Sequence, residues 1–361
     1  MIYTQAEMEV LALCAWCKDL PTVKCSNLPA EIVNLFLEQG LIKQTRNGLS
    51  YRVSPDGYEL LRTNGFNYSD ANLFRSKYDI IRRRLQTAEI TSFFWRYGTN
   101  VFLETPPAEN KTDVFLPSFA LRRQKHANIL GGSKLSGFYY TKETVFIPYY
   151  IDKDNNGIYP NVEQRTFRAE TLACGKRPYI IYTGNDNLQK IIDSVSYKKE
   201  KSNKSTTVYY KDAIDKFDCP LAIMPLTADG MRQLRILSSP DYRQRLARNI
   251  LGNNYLPPKT SQSDGRTKTE NIIIGIDCNI SRFENAVKSK KITKIFVLPF
   301  QAEAVQKIVS GSKVKCYVLN LKETEDFFEL PPTLPGIDNT PFQTEKGEYA
   351  YVPPFRKGKK T

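Results

Sequence analysis

Apolar residues recur with helical spacing over Gln5–Cys17 and again over Pro29–Gln39, and this spacing predicts two amphipathic helices. The pattern then changes at residues 41–53, LIKQTRNGLSYRV, where apolar and polar residues alternate as they do in paired strands. Asn47 and Gly48 stand at the centre of this segment. We expect a β-hairpin closed by a type I′ turn, which requires positive φ at both of these residues.

A third helix is predicted over residues 54–65, because Pro55 suits a helix start and Gly65 suits a helix end. The predicted order of helix, helix, two-stranded wing and helix is that of many DNA-binding winged helices. We therefore predict a winged-helix domain over residues 1–66. A basic connecting helix is expected to follow at 67–99.

The rest of the chain alternates between β-branched or aromatic runs and helical runs. Strands are predicted at 100–104, 112–121, 136–141, 144–151, 178–184, 219–226, 271–277, 293–300 and 313–321. Helices are predicted at 163–174, 186–196, 227–237, 241–250, 281–288 and 301–311. This alternation predicts the α/β fold class with a mixed, partly parallel sheet. The α/β body should span 100–330, with a linker at 256–270 as its point of subdivision, and a Pro/Gly-rich basic tail should occupy 331–361.

Composition narrows the class of partner. The 361 residues carry a net charge of +14, which favours a polyanion and most simply nucleic acid. No run of about 18 apolar residues is available to cross a bilayer, and the first ten residues lack a secretory pattern. We expect a cytoplasmic protein that does not bind membranes.

The positive charge is unevenly distributed. Residues 1–66 contain six Lys/Arg against seven Asp/Glu, so the excess begins after Phe66. The second predicted helix carries Glu31 and Glu38 and no Lys or Arg, which leaves Asn34 and Gln39 as its groups for base edges. The winged helix should therefore bind DNA mainly through its wing, or should dock another protein.

Candidate phosphate contacts are the basic side chains of the wing, of the long helical stretch 71–98 and of residues 122–125. They are Lys43, Arg46, Arg52, Arg75, Arg82, Arg83, Arg84, Arg122, Arg123 and Lys125. Contacts of this kind hold the DNA backbone largely without regard to sequence.

Residues 152–163, DKDNNGIYPNVE, match the ligand spacing of a calcium-binding EF-hand loop. The oxygen ligands would be Asp152, Asp154, Asn156 and Glu163. A predicted strand leads into this segment where an EF-hand has a helix, and Pro160 stands at the ninth position. We therefore expect a turn here and predict no metal site.

Catalytic signatures are weak. A metal-dependent nuclease needs clustered carboxylates and a lysine on adjacent strands, and Asp152, Asp154 and Glu163 are the nearest candidates. His126 is the only histidine, and no Gly-rich phosphate loop is present, so no cofactor is predicted. The seven scattered cysteines are expected to be buried free thiols.

The order of these parts resembles the replication-relaxation family of mobile elements. The resemblance lies in GLIKQTRNGLSYRVSPDGYELL (40–61), in FLPSFALRR (115–123) and in the strand at 144–151. It implies a winged helix followed by a restriction-endonuclease-like α/β domain, with a role in plasmid replication or conjugative DNA processing. Ser118, Tyr149 and Tyr150 stand where that family would have acids, which implies binding without cleavage.

The sequence thus predicts a non-catalytic DNA-binding protein, an accessory factor or regulator in the replication or transfer of a plasmid or conjugative element. Two alternatives remain open at this point. One is a divalent-metal-dependent nuclease of restriction-endonuclease-like fold. The other is a protein-interaction scaffold with a basic surface.

Overall fold

The chain folds into a mixed α/β structure, as the alternation of apolar strands and helices predicts. The computed structural model describes residues 2–22, 27–68, 78–107, 112–123, 130–153, 157–185, 187–198, 208–289 and 293–343. Two compact units are present, Met1–Phe102 with Pro335–Thr361, and Leu103–Leu334. Across these described ranges, every helix is too short or too polar to cross a membrane.

The helices of the described part lie close to the predicted positions. They are α1 Gln5–Cys17, α2 Ala30–Glu38, α3 Pro55–Thr63, α4 Tyr78–Arg96, α5 Ser118–Arg123, α6 Pro160–Cys174, α7 Leu188–Ser196, α8 Tyr210–Ile214, α9 Ala228–Ser238, α10 Tyr242–Leu251, α11 Ile280–Lys288, α12 Ala302–Val309 and α13 Leu321–Phe327. The short helices α5, α8 and α13 were not anticipated from the sequence.

The strands of the described part form four sheets. They are β1 Leu20–Pro21, β2 Ile42–Gln44, β3 Ser50–Val53, β4 Val114–Pro117, β5 Gly137–Tyr140, β6 Thr144–Tyr150, β7 Gly157–Ile158, β8 Arg177–Gly184, β9 Val208–Tyr209, β10 Leu221–Pro225, β11 Gly265–Arg266, β12 Asn271–Ile274, β13 Thr293–Val297 and β14 Val314–Val318.

The first unit is built around a three-stranded antiparallel sheet in the order β1-β3-β2. The predicted hairpin is confirmed, with Lys43 opposite Arg52 in its register. Helix α1 begins with a capping box, in which the Thr4 hydroxyl and the Glu7 carboxylate each accept a hydrogen bond from the other residue's backbone N–H. Its buried side chains, Trp16 among them, supply much of the core of this unit.

The turn of the hairpin differs from the predicted type I′ turn. Gly48 has a φ of +69°, but Asn47 is not among the residues with positive φ. The Gly48 N–H donates to the Thr45 carbonyl oxygen over 2.8 Å, and the Thr45 N–H donates to the Ser50 carbonyl oxygen over 2.8 Å. The loop therefore has four residues, 46–49, and only its glycine needs the left-handed conformation.

Helix α4, expected to connect two domains, packs within the first unit against α1 and β1. The Trp95 indole N–H donates to the Glu9 carboxylate over 2.7 Å. The start of the tail also belongs to this unit, because the Phe342 N–H donates to the Tyr3 carbonyl oxygen over 2.9 Å and the Phe342 ring is buried. Residues 69–77 and 344–361 lie outside the described residues.

The second unit contains a five-stranded mixed sheet in the order β10-β8-β6-β5-β4. Strands β6, β8 and β10 are parallel, while β4, β5 and β6 form an antiparallel meander. The strand predicted at 112–121 ends at Pro117, and the residues that follow form helix α5 instead. The strand predicted at 100–104 does not form, since the Val101 carbonyl oxygen accepts the Trp16 indole N–H at 2.9 Å.

The body does not form the predicted single sheet: besides the five-stranded sheet it has a four-stranded sheet in the order β11-β12-β13-β14 and the two-stranded pair β7-β9. Strands β12, β13 and β14 are parallel to one another, and β11 pairs antiparallel with β12 at the edge. The two larger sheets meet where the Ile223 N–H donates to the Asp277 carbonyl oxygen over 2.9 Å. The buried Gln233 amide links them by donating to the carbonyl oxygens of Ile223 and Ile276.

Candidate nucleic-acid interface

The β2–β3 hairpin carries basic side chains that are available to a polyanion. Lys43 and Arg46 are exposed, and neither has a hydrogen bond or an ion pair within the described residues. The hairpin segment 41–53 contains no acidic residue. These two cations are thus free to neutralise phosphate groups.

Arg52, the third basic residue of the hairpin, has an internal partner. Its Nε donates to the Asp19 Oδ1 over 2.7 Å, although 42% of the Arg52 side chain remains exposed. Asp19 is completely buried at the end of the turn after α1, and it also accepts the Ser50 hydroxyl at 3.0 Å. Arg84 of helix α4 approaches the other carboxylate oxygen to 3.7 Å.

This arrangement explains why two predicted phosphate contacts are less available than the sequence suggests. A buried carboxylate is costly unless cations and hydrogen-bond donors compensate it. Arg52 and Arg84 supply that compensation from a strand and from a helix that are distant in sequence. If either guanidinium moved away to bind a ligand, Asp19 would lose part of this compensation while its carboxylate remained buried.

The remaining candidates of helix α4 are also engaged. Arg82 and Arg83 are half-buried, and each has an interaction partner within the chain. Arg75 lies outside the described residues. Helix α4 therefore does not present its predicted arginines together as one solvated row.

The cluster at residues 122–125 is described only in part. Arg122 is exposed, and its guanidinium reaches the Ser133 carbonyl oxygen at 3.5 Å. The side chain of Arg123 and all of Lys125 lie outside the described residues. Within this cluster, Arg122 is therefore the side chain whose position the structure describes, and it lies at the end of α5.

Helix α2 has the acidic surface that its sequence predicts. Ile32, Val33 and Phe36 are buried, and the exposed positions include Glu31, Asn34 and Glu38. Gln39, which sequence analysis assigned to base edges, accepts the Tyr3 hydroxyl at 2.7 Å. Because carboxylates repel phosphates, this helix is poorly suited to lie in a DNA groove.

The acidic candidates for metal-dependent chemistry are separated by their environments. Asp152 lines a cavity of about 370 Å³ at the carboxyl ends of β6 and β8, together with Lys153, Lys190 and Asp193. Asp154 and Asn156 lie outside the described residues. Among the residues that the structure does describe, no three His, Cys, Asp or Glu side chains form a group that could hold a metal ion.

Glu163 is turned into the core of the second unit by helix α6. It is completely buried, and its carboxylate accepts the Ser133 hydroxyl at 2.5 Å, the Tyr149 hydroxyl at 2.9 Å and the Lys134 N–H at 2.7 Å. Burial, followed by the Glu163 carboxylate, raises the pKa of Tyr149 well above its ordinary value. The phenol therefore stays a donor, and the three donors give Glu163 a structural role that joins α6, β6 and the segment before β5.

The described cysteines are free thiols, as predicted, but only Cys14, Cys17 and Cys278 are buried; the other three are half-buried. Burial raises the pKa of Cys219 to about 12 and raises the pKa of Cys278 well above its ordinary value. Protonated thiols are weak nucleophiles. Cys25 lies outside the described residues.

One set of basic residues was missed from the sequence. Arg245 and Arg248 lie on the exposed side of helix α10, next to Gln244 and Asn249. The signal was available, because the helix contains three arginines and no Asp or Glu.

No family model, curated protein or solved structure matches this chain. The functional assignment therefore depends on the geometry and the charge of the described residues.

Proposed function

We propose that this chain is a non-catalytic DNA-binding protein whose first unit is a winged helix that contacts the phosphate backbone through the β2–β3 hairpin. The observation that carries the proposal is the pair of exposed, unpaired cations Lys43 and Arg46 on a hairpin without acids. The antiparallel order β1-β3-β2, with α1, α2 and α3 on the same unit, supports a winged helix. The acidic face of α2 supports wing contacts in place of base reading by that helix.

The wider charge balance supports the same proposal. The segment 103–334 contains 35 Lys/Arg and 25 Asp/Glu, so a long-range positive field accompanies the hairpin contacts. The mixed sheet of the second unit, where an antiparallel meander passes into parallel strands, supports a restriction-endonuclease-like body. The saturated hydrogen bonding of Glu163 supports a body that holds DNA without cleaving it.

The biological role follows from the resemblance of the hairpin and the strand at 144–151 to the replication-relaxation family. We propose that the chain has an accessory or regulatory role in the replication or transfer of a plasmid or conjugative element. Contacts through the hairpin would be largely independent of sequence, because the groups available on the hairpin bind phosphates.

Fluorescence anisotropy with a labelled DNA duplex of about 30 base pairs, measured at several salt concentrations, tests this proposal. We expect the wild-type chain to bind with a steep salt dependence. The double variant K43E/R46E should bind about tenfold or more weakly, with a slope of log K against log salt that is lower by about 1 to 2.

The matched control is K313E/K315E, which changes the net charge equally at two exposed lysines outside the hairpin that have no partner among the described residues. Its affinity should fall much less. Equal losses in the two variants would show that net charge alone drives binding and would contradict the hairpin contact. No binding by the wild type at low salt would overturn the proposal.

A further inference from the structure

Helix α10 presents an exposed face made of arginine and amide side chains. Gln244, Arg245, Arg248 and Asn249 are exposed, and their spacing places them on one side of the helix. We call these four residues the α10 face. The opposite side of the helix is buried through Tyr242, Leu246 and Ala247. The helix is thus fixed to the second unit while the α10 face remains in solvent.

Both arginines of the α10 face lie over aromatic rings. The Arg245 guanidinium carbon is 5.5 Å from the ring centroid of Phe327 and 4.9 Å from that of Phe328. The Arg248 guanidinium carbon is 5.4 Å from the ring centroid of Tyr255. A cation over a ring is held by the negative potential of the ring face.

Neither of these guanidiniums has a carboxylate partner or a side-chain hydrogen bond within the described residues. Arg232, Arg243 and Arg282 of the same unit differ, since each pairs with a buried carboxylate. The N–H groups of both guanidiniums are therefore available to a ligand. Two adjacent N–H groups of a guanidinium can bind two phosphate oxygens at once.

The ring contacts also lower the entropic cost of ligand binding, because they restrict the arginine side chains beforehand. A free arginine side chain loses rotamer entropy when a ligand fixes it. Stacking on Phe328 and Tyr255 removes part of that freedom before any ligand arrives. The α10 face is therefore ordered for binding in a way that the exposed lysines of the surface are not.

The geometry points to duplex DNA as the ligand of the α10 face, and we propose that Arg245 and Arg248 bind backbone phosphates while Gln244 and Asn249 lie toward base edges. The inference rests on the proposed function and assigns it a second contact surface. Charge complementarity supports it, because the face has two unpaired cations and no acid. Arginine, glutamine and asparagine are also the residues most used to contact guanine and adenine in the major groove.

Acidic residues border this surface but do not interrupt it. Asp241 precedes the helix, and Asp326 and Glu329 flank the two phenylalanines. All three are exposed, so a phosphate backbone should be excluded from those edges. This restricts the contact to the middle turns of α10, where the arginines lie.

The test uses the full chain and the same anisotropy assay, with R245Q/R248Q as the principal variant. We expect its affinity for duplex DNA to fall about tenfold or more, with the salt slope reduced by about 2. The control K313Q/K315Q removes the same charge from two exposed lysines at strand β14, which have no partner among the described residues, and should change affinity less than threefold. R245K/R248K keeps the charge without the planar fork and should recover only part of the lost affinity.

A second variant tests the α10 face while it keeps both arginines and their ring contacts. Q244E/N249D adds two carboxylates of nearly unchanged shape to the α10 face, at positions whose side chains have no partner in the described structure. It should leave the melting temperature unchanged and weaken DNA binding at least tenfold.

The possible outcomes separate the two proposals. If the wild type binds and K43E/R46E binds weakly, but R245Q/R248Q and Q244E/N249D bind normally, the α10 inference is wrong and the proposed function stands. Failure of the wild type to bind any DNA overturns both. Single-stranded RNA and a poly-glutamate peptide are measured with the same variants. If the wild type bound either of them as tightly as duplex DNA or more tightly, and the α10-face variants weakened that binding, duplex DNA would be contradicted as the ligand of the α10 face.

Discussion

The Arg52 guanidinium donates from Nε to the Asp19 Oδ1 over 2.7 Å, which ties β3, the central strand of the three-stranded sheet, to the turn after helix α1. Asp19 has no exposed surface, whereas Arg52 is 42% exposed. The carboxylate therefore depends on the arginine more than the arginine depends on the carboxylate. A residue that looks like a DNA contact in the sequence serves first as a counterion within the fold.

Replacing Asp19 tests this relationship. Asp19→Ala leaves the Ser50 hydroxyl and the Arg52 guanidinium without their acceptor and removes the counterion of Arg84, and we expect the free energy of unfolding to fall by about 2 to 3 kcal/mol. The urea midpoint of the full chain measures the loss. Glu38→Gln, an exposed change of one acid in the same unit, should alter stability by less than about 0.5 kcal/mol. Equal midpoints for Asp19→Ala and the wild type would contradict the role of Asp19.

Glu163 should behave as a structural residue and not as a metal ligand. In Glu163→Gln the new amide N–H group faces donors, so at least one hydrogen bond is lost, and we expect a destabilisation of about 2 to 3 kcal/mol. Tyr149→Phe removes only one donor to the carboxylate and should cost about 1 kcal/mol. Thermal unfolding with and without Mg²⁺ provides the second readout. A wild-type melting temperature that rises with Mg²⁺ and ceases to do so in Glu163→Gln would indicate a metal site instead.

Gly57 of helix α3 should not tolerate a side chain, although a glycine in a helix is normally improved by alanine. A Cβ at this position would lie 2.3 Å from the Leu41 carbonyl oxygen and 2.8 Å from the Val53 Cγ1. The clash should outweigh the helix-propensity gain of about 1 kcal/mol, giving a net loss of about 1 to 3 kcal/mol in Gly57→Ala. Gly336→Ala meets no atom within 4 Å and serves as the control. Chemical denaturation compares the two, and a stabilised Gly57→Ala would refute the close packing of α3 on the hairpin.

Stability should decline at alkaline pH before the exposed lysines titrate fully. Burial raises the pKa of Cys219 from 9.0 to about 12, and it raises the pKa of Tyr3 and Tyr179 from 10.0 to about 12. The folded chain therefore keeps these protons, while the unfolded chain releases them from about pH 9 upward. The stabilisation is complete below pH 9 and is lost progressively between pH 9 and pH 12.

Urea midpoints between pH 7 and pH 11.5, read together with phenolate absorbance at 295 nm, check this expectation. The midpoint should be level from pH 7 to pH 8 and then fall, and Cys219→Ala should fall less steeply just above pH 9. If phenolate absorbance rose fully near pH 10 while the chain was still folded, the tyrosines would be accessible and the prediction would fail.

Much of the local structure followed from the sequence because it depends on contacts close in the chain. The helical spacing of Gln5–Cys17, the alternation around Asn47 and Gly48, and the apolar runs of β6, β8 and β10 each predicted the correct type of element. The type I′ turn was wrong because the loop closes through Thr45 and Ser50, so Asn47 does not need positive φ. The strand at 100–104 was wrong because the indole of Trp16, far away in sequence, takes the Val101 carbonyl oxygen.

The sequence by itself determined the α/β class, the hairpin, the basic excess and the acidic surface of α2, since periodicity and charge are properties of the residues alone. Only the tertiary structure decided which cations are available. It placed Arg52 and Arg84 beside the buried Asp19, and it set the exposed Arg245 and Arg248 over aromatic rings, with no carboxylate partner among the described residues. The physical reason is that the energy of a charge depends on its neighbours and on its burial, and both are fixed by residues that meet only when the chain has folded.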